Sequence, residues 1–329
     1  NLTVDGLVSV AGDFVIKKSG RTVKLSNATS IETDVLSFGG SGVEAFIGVN
    51  GPANSPGATG FGISNLEFGL ALFSEKAGTR RFTSLRASAA SAAFVGAGDL
   101  TMDVTGILVD LNRASDGGAV IDFASNPFTV ELGAGRSLAL SFDGAKGNQF
   151  AVSADVNLHV AGFVHLNGRL AIARSEQALA LSSGGSTTIN TLTIAGEGLN
   201  AFAGAVDGTT GLALTGVDFA LALMKPLNAA GERSWLALRA DAEAVSVVGV
   251  TGFTLDVADA FVEVNQGFGD GNNSVIDFAS TPLDVAVGGW RVRFSIAGSE
   301  GNVVRASAAV RLAVADYFYV AGRVSIESF

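Results

Sequence analysis

The sequence contains no cysteine. That removes disulfides and thiolate metal sites from consideration. Histidine occurs twice, too rarely for a His-rich metal centre. Tryptophan and tyrosine occur twice each, so the aromatic girdles of an outer-membrane barrel are missing. No apolar run reaches 18 residues, which excludes an obvious membrane-spanning helix. Basic residues number 21 against 31 acidic ones, a net charge of −10. No basic stripe exists, and an acidic surface repels phosphate, so nucleic acid is excluded as a partner. Also absent are a phosphate loop, a Gly-x-Ser-x-Gly elbow, an EF-hand loop and a glycine-rich nonapeptide calcium repeat.

What remains is apolar and glycine-rich. Hydrophobic residues make up 48% of the chain, with 43 Gly and 22 Phe among 329 residues. Such a composition has enough apolar surface to offset chain entropy and is not that of a disordered segment. Its glycines lack the period of collagen.

The strongest feature is internal repetition. Residues 2–19 match 158–175 and again 312–328, with Leu2, Leu158 and Leu312 at the start of each copy. The offsets are 156 and 154. The segment Val120–Phe128 returns at Val275–Leu283, and Ser141–Asn148 at Ser295–Asn302. Leu85 to Ala87 returns at Leu238 to Ala240. Colinear matches at a nearly constant offset predict tandem units of about 155 residues. The expected organisation is a first β repeat over 1–155, a second over 156–309, and the opening strands of a third over 310–329. A chain that stops just inside a new copy reads as a piece of a longer array.

Each unit reads as strand after strand. Trp290, Val292, Phe294 and Ile296 alternate with Arg291, Arg293 and Ser295. Leu236 and Leu238 alternate with Arg239 and Asp241, and a longer stripe runs from Val304 to Val314 opposite Arg305, Ser307 and Arg311. Period-2 alternation predicts sheets with one buried face. Turn chemistry punctuates these runs at 115–118, 207–211, 228–232 and 269–273. Asn167-Gly168 is the best two-residue hairpin signal, because a type I′ turn needs positive φ twice; its glycine recurs as Gly12 and Gly322. The Ala-rich stretch 86–93 aligns with a Val-rich one and reads as strand. The fold class expected is therefore all-β: elongated tandem repeats, built as an antiparallel meander, a sandwich or a solenoid-like rod, with about ten strands per unit. Ala220, Ala222, Ala237, Ala309 and Ala313 read as an outward face of small residues. That face is either the plain outside of a sandwich or a packing surface for a neighbouring repeat or chain.

Candidate chemistry is sparse. His159 and His165, six apart on one strand, would lie about 20 Å apart at ~3.3 Å per residue, too far for joint work. Three acidic positions recur: Asp103/Asp256, Asp110/Glu263 and Asp122/Asp277. Paired carboxylates can act as acid and base, but a solvated or turn-bonding role is the stronger reading. Calcium suits the loop residues Asp270, Asn272 and Asn273, and Asp116 in the first copy, as hard oxygen ligands in a glycine setting. Neither loop supplies six oxygens alone, and an Asx-rich turn is the plainer reading. Formal glycosylation sequons begin at Asn1, Asn27 and Asn272.

The run Leu-Arg-Ala, Gly-Phe-Thr-Leu, Val-Glu-Val-Asn and Val-Ile-Asp-Phe-Ala-Ser-x-Pro-Leu, as it stands between Leu238 and Leu283, resembles the long tandem repeats of giant bacterial surface and secreted proteins. These are adhesin-like or matrix-forming chains. The resemblance implies an extracellular or cell-surface structural role, without a cofactor and without enzymatic activity. Its partners would be neighbouring repeats or copies of the same chain in a rod, fibre, sheath or biofilm matrix. The alternative is an open β-groove that binds or transfers lipid in a bacterial envelope, its wall formed by Phe219, Phe253, Phe261, Phe278 and Phe294.

Overall fold

The computed structural model describes residues 2–4, 8–96, 100–205, 208–227, 233–269, 271–287 and 290–328. Among them the fold is all-β, with eighteen strands, two 3-10 turns and no α-helix. The chain divides into two compact units, Asn1–Ala154 with Ala173–Glu176, and Asp155–Ile172 with Gln177–Phe329. The turns expected at 228–232 and Asp207, the sequon at Asn1 and the candidate ligand Asp270 lie outside the described residues.

Unit 1 is an antiparallel meander of long strands: β1 (Leu2–Val4), β2 (Val8–Lys24), β3 (Ser30–Val49), β4 (Thr59–Glu75), β5 (Arg81–Val95) and β6 (Leu100–Ala114). An insert over 115–148 follows, holding the hairpin β7 (Phe128–Gly133) and β8 (Arg136–Leu140); β9 (Gln149–Val160) then begins in unit 1 and continues into unit 2. Unit 2 repeats the plan. Its long strands are β10 (Val164–Ala180), β11 (Ser186–Gly204), β12 (Gly211–Pro226), β13 (Ser234–Val248) and β14 (Phe253–Phe268). The insert then carries β15 (Leu283–Val287) and β16 (Trp290–Phe294), and β17 (Val303–Val314) and β18 (Phe318–Ser328) complete the unit. Each strand order is linear, so neither meander closes on itself. The alanine-rich 86–93 segment lies within β5, as its alignment predicted.

Each core lies between the sheet and the insert. In unit 1, Val35, Phe73 and Phe82 are buried against Phe123, Phe128, Val130 and Leu140 of the insert. Phe73 meets Phe123 at 5.8 Å and Phe128 at 5.3 Å between ring centroids. In unit 2, Met224, Trp235 and Ala237 are buried with Phe278, Val285, Val292 and Phe294. Burying one such aromatic contributes roughly 1.5–3 kcal/mol.

This arrangement reverses two sequence expectations. Ala220, Ala222 and Ala237 are the buried face, each fully enclosed beneath the insert. Leu236 and Leu238 point to the opposite side and are half-buried, and Val304, at the start of the long stripe, is exposed. The insert backbone explains the inversion. It approaches so closely that a Cβ at Gly39 would overlap the Glu131 carbonyl, and one at Gly69 would lie 3.0 Å from Val130 Cβ. Where the insert backbone comes closest only small side chains fit, so glycine and alanine share the covered face with the buried rings of Phe73, Phe82 and Trp235.

The expected Asn167-Gly168 turn is also displaced. The turn falls at Ala161 and Gly162, with φ of 48° and 71°, and Phe163 N donates to Val160 O at 2.9 Å. Both positive φ values mark a type I′ hairpin. Gly168 sits inside β10, where a Cβ would lie 2.8 Å from Leu199 Cα.

Gly168 belongs to a row of mid-strand irregularities. Gly42, Asn65 and Gly106 in unit 1 have φ of 56°, 50° and 58°, while Gly198, Gly216 and Asp259 in unit 2 have 58°, 59° and 48°. Strand register slips beside Gly42, Gly198 and Asp259. These are β-bulges, which turn the strands and increase their twist.

Candidate functional site

The recurring sequence around Asp122 and Asp277 is a clamp that fixes the insert to its sheet. Asp122 N donates to Lys24 O at 2.8 Å, and Asp277 N to Ala180 O at 2.9 Å. Ser26 N reaches Val120 O at 2.8 Å, as Ser182 N reaches Val275 O at 2.9 Å. The carboxylates close the other end of each insert. Asp122 Oδ1 accepts from Gly144 N at 3.1 Å, and Asp277 Oδ1 from Gly298 N at 2.8 Å. Ser280 Oγ donates to Asp277 Oδ2 at 2.5 Å. Hydrogen bonds from the Ser280 hydroxyl and the Gly298 amide hold the Asp277 carboxyl below its ordinary value. These carboxylates are bound into turns.

Two asparagines missed by the sequence reading complete the clamp. Asn112 and Asn265 are fully buried, and their Nδ2 groups donate to Ile121 O at 2.8 Å and Ile276 O at 2.9 Å. Asn148 and Asn302 also repeat a role, their Oδ1 atoms accepting from Ala114 N and Gly267 N at 2.9 and 3.0 Å. The signal was available, because all four stand at the repeat offset beside other matched residues.

The other acidic pairs are dispersed. Asp110 holds Arg86 in a bidentate pair of 2.8 and 3.0 Å. Glu263 instead meets Arg305 at 2.9 Å. Asp103 is exposed.

Two of the four candidate calcium ligands, Asp116 and Asn272, bond their own turns. Asp116 Oδ1 accepts from Gly118 N at 3.0 Å. Asn272 Oδ1 accepts from the Ser274 hydroxyl at 3.0 Å and from its amide at 3.3 Å, and Asn273 is exposed. Among the described residues, no three His, Asp or Glu side chains converge on one point.

The histidines are not 20 Å apart. Because the hairpin turn falls between them, His159 and His165 face each other edge to face at 4.3 Å between centroids. His159 Nε2 is 2.9 Å from Asn157 Oδ1, and His165 Nε2 is 3.2 Å from Gly162 O.

Nor do the five phenylalanines line one groove. Phe278 and Phe294 are fully buried together at 5.5 Å in the unit 2 core. Phe261 lies under Arg239, whose guanidinium carbon is 5.5 Å from its ring centroid. Phe219 pairs with Ala240 and Phe261 with Asp241, so adjacent β13 positions place them on opposite sides of the sheet.

Two features are left unpartnered. The first is the uncovered sheet face. In unit 1, Ile16, Phe38, Leu70, Leu85 and Leu111 are direct cross-strand neighbours in one row. In unit 2, Ile194, Leu221, Leu238, Val264 and Val304 form the same row. Ile16 is 68% exposed.

The second is a cavity of about 590 Å³ in unit 1, walled by Val10, Phe46, Pro52, Ala53, Ile63 and Val95. Its polar groups are largely satisfied. Glu44 Oε1 accepts from Asn65 N at 2.9 Å, and the Ser64 and Ser91 hydroxyls are 2.7 Å apart. The wall comes from an insertion. Eleven residues separate the cross-strand pair Gly48 and Gly60, whereas six separate the equivalent Gly204 and Gly211.

Compared with protein-family profiles, curated proteins and solved structures, the chain matches none.

Proposed function

We propose that the chain is a non-enzymatic structural repeat protein, acting outside the cell or at its surface, whose units assemble into a rod, fibre or sheath. The observation that carries this reading is the uncovered apolar row repeated at equivalent positions in both units. Large contiguous apolar surface on a folded protein marks an interaction face. The polar residues that repeat most faithfully, Asp122/Asp277, Asn112/Asn265 and Asn148/Asn302, are bound into the framework. Repetition has therefore preserved a shape. Sedimentation velocity over a hundredfold concentration range tests the proposal. Growth into larger species, reversed by Ile16→Lys with Leu221→Lys, supports it, and a concentration-independent monomer refutes it.

The unit 1 cavity favours a second reading, an apolar-ligand site of the lipid-binding kind. Its volume and lining fall in the range of small-molecule sites. Native mass spectrometry of the purified chain separates the readings. A co-purifying lipid lost on deletion of residues 51–55 supports the second, and a lipid-free chain that self-associates supports the first.

A further inference from the structure

The hairpin that joins β9 to β10 brings together His159 and His165, the two histidines of the chain. In the other two copies of this hairpin the equivalent positions are direct cross-strand partners: Thr3 pairs with Ser9, and Ala313 with Tyr319. The imidazoles stand edge to face, 4.3 Å apart between centroids, and both are half-buried. Each ring has one nitrogen engaged. His165 Nε2 lies 3.2 Å from Gly162 O, and His159 Nε2 lies 2.9 Å from Asn157 Oδ1. A carbonyl oxygen can only accept, so in both neutral rings Nε2 carries the proton and Nδ1 keeps its lone pair. An imidazole whose other nitrogen donates to an oxygen is the usual state of a metal-bound histidine, because that bond fixes the tautomer and the ring orientation. Phe202 backs His165 at 6.2 Å between centroids. Asp155, further along β9, is held by Arg169 at 3.1 Å, and no third His, Asp or Glu among the described residues joins the pair.

We propose that His159 and His165 form a two-imidazole site for a divalent transition metal, with Cu(II) bound most tightly. Imidazole nitrogen suits copper, nickel and zinc, and affinity along the divalent series peaks at Cu(II). Calcium, which takes oxygen ligands, is excluded from this pair. One ion held at about 2.0–2.1 Å by both rings needs its two nitrogens roughly 3 Å apart. Rotation about χ2, a broad torsion in histidine, brings the two Nδ1 atoms to that spacing from facing rings. Water fills the remaining positions, since the chain supplies two ligands. The site belongs to this hairpin alone, because Thr3 and Ser9, and Ala313 and Tyr319, bring no imidazole to the other copies. The proposal is independent of the assembly reading.

The test titrates the full chain with the chlorides of copper(II), nickel(II) and calcium by calorimetry, and follows the imidazole nitrogens by NMR with zinc. One Cu(II) per chain is expected, with Ni(II) weaker and calcium silent. Before metal is added, both Nδ1 atoms should resonate as unprotonated nitrogens, and zinc should shift both. His159→Gln and His165→Gln should each weaken Cu(II) binding at least tenfold, because one imidazole cannot chelate. The double variant His159→Thr with His165→Ser copies the residues of the first hairpin, so it should keep the unfolding midpoint and lose the metal. No Cu(II) binding up to millimolar metal overturns the proposal, as does equal binding by either single variant or binding that survives in the double variant.

Discussion

The two units differ by one hydroxyl at a buried hydrogen bond, and that difference makes a quantitative prediction. In unit 1, Ser84 Oγ donates to Asn112 Oδ1 at 2.9 Å, while Asn112 Nδ2 donates to the insert. In unit 2, the residue at the Ser84 position is Ala237, and the buried Asn265 Oδ1 has no partner. Both sites face an alanine on the neighbouring strand, Ala71 and Ala222, so the space available is similar. Ala237→Ser should therefore satisfy the orphaned oxygen and stabilise unit 2 by about 1 kcal/mol. Ser84→Ala should orphan Asn112 Oδ1 and cost unit 1 about 1–3 kcal/mol. In a unit of this size, 1 kcal/mol moves the melting temperature by roughly 2–4 °C. The assay can separate the units, because both tryptophans, Trp235 and Trp290, belong to unit 2. Urea unfolding followed by tryptophan fluorescence reports unit 2, and circular dichroism reports both. The reasoning fails if Ala237→Ser leaves the fluorescence midpoint unchanged or lowers it, or if Ser84→Ala is neutral by circular dichroism.

Other expectations follow from the clamp and the bulges. The Asp277 carboxyl titrates below its ordinary value in the folded chain, so its contribution is fully present above the ordinary carboxylate range and is lost as pH falls from there through the depressed folded value. The fluorescence-detected stability gap between the parent and Asp277→Asn should close over that interval; a gap that widens on acidification would reverse the assignment. Gly168→Val should destabilise the fold, because its Cβ would press on Leu199, whereas Gly322→Val should not; thermal melts of the two variants compare them directly. Phe82→Ala removes a fully buried ring from the unit 1 core and should cost about 3–5 kcal/mol by denaturant titration.

Much of the architecture was legible because the chain contains two versions of it. The offsets predicted a repeating unit, and period-2 alternation identified strands, including the ambiguous Ala-rich β5. Which face lay inside was legible at Val292, Phe294 and Ile296 of the insert, which are buried between exposed Arg291, Arg293 and Ser295, but not on the long strands. Alternation of Leu with Ala or Arg suggests burying Leu, but where the insert backbone passes at close range it selects glycine, alanine and serine, beside the buried Phe73, Phe82 and Trp235. The hairpin was misplaced because Asn-Gly is the stronger turn signal in isolation. Gly168 answers to Leu199 on another strand, a constraint of tertiary origin. That single error also separated His159 from His165, which the true turn brings together. The cavity left a faint trace as five extra residues between Gly48 and Gly60, visible only once the flanking strands are aligned unit against unit.

Electron microscopy of the protein as isolated from its source tests the central claim most directly. The account predicts continuous filaments with an axial repeat matching one or two units. Discrete monomeric particles would contradict the structural reading and move the lipid-binding one to first place.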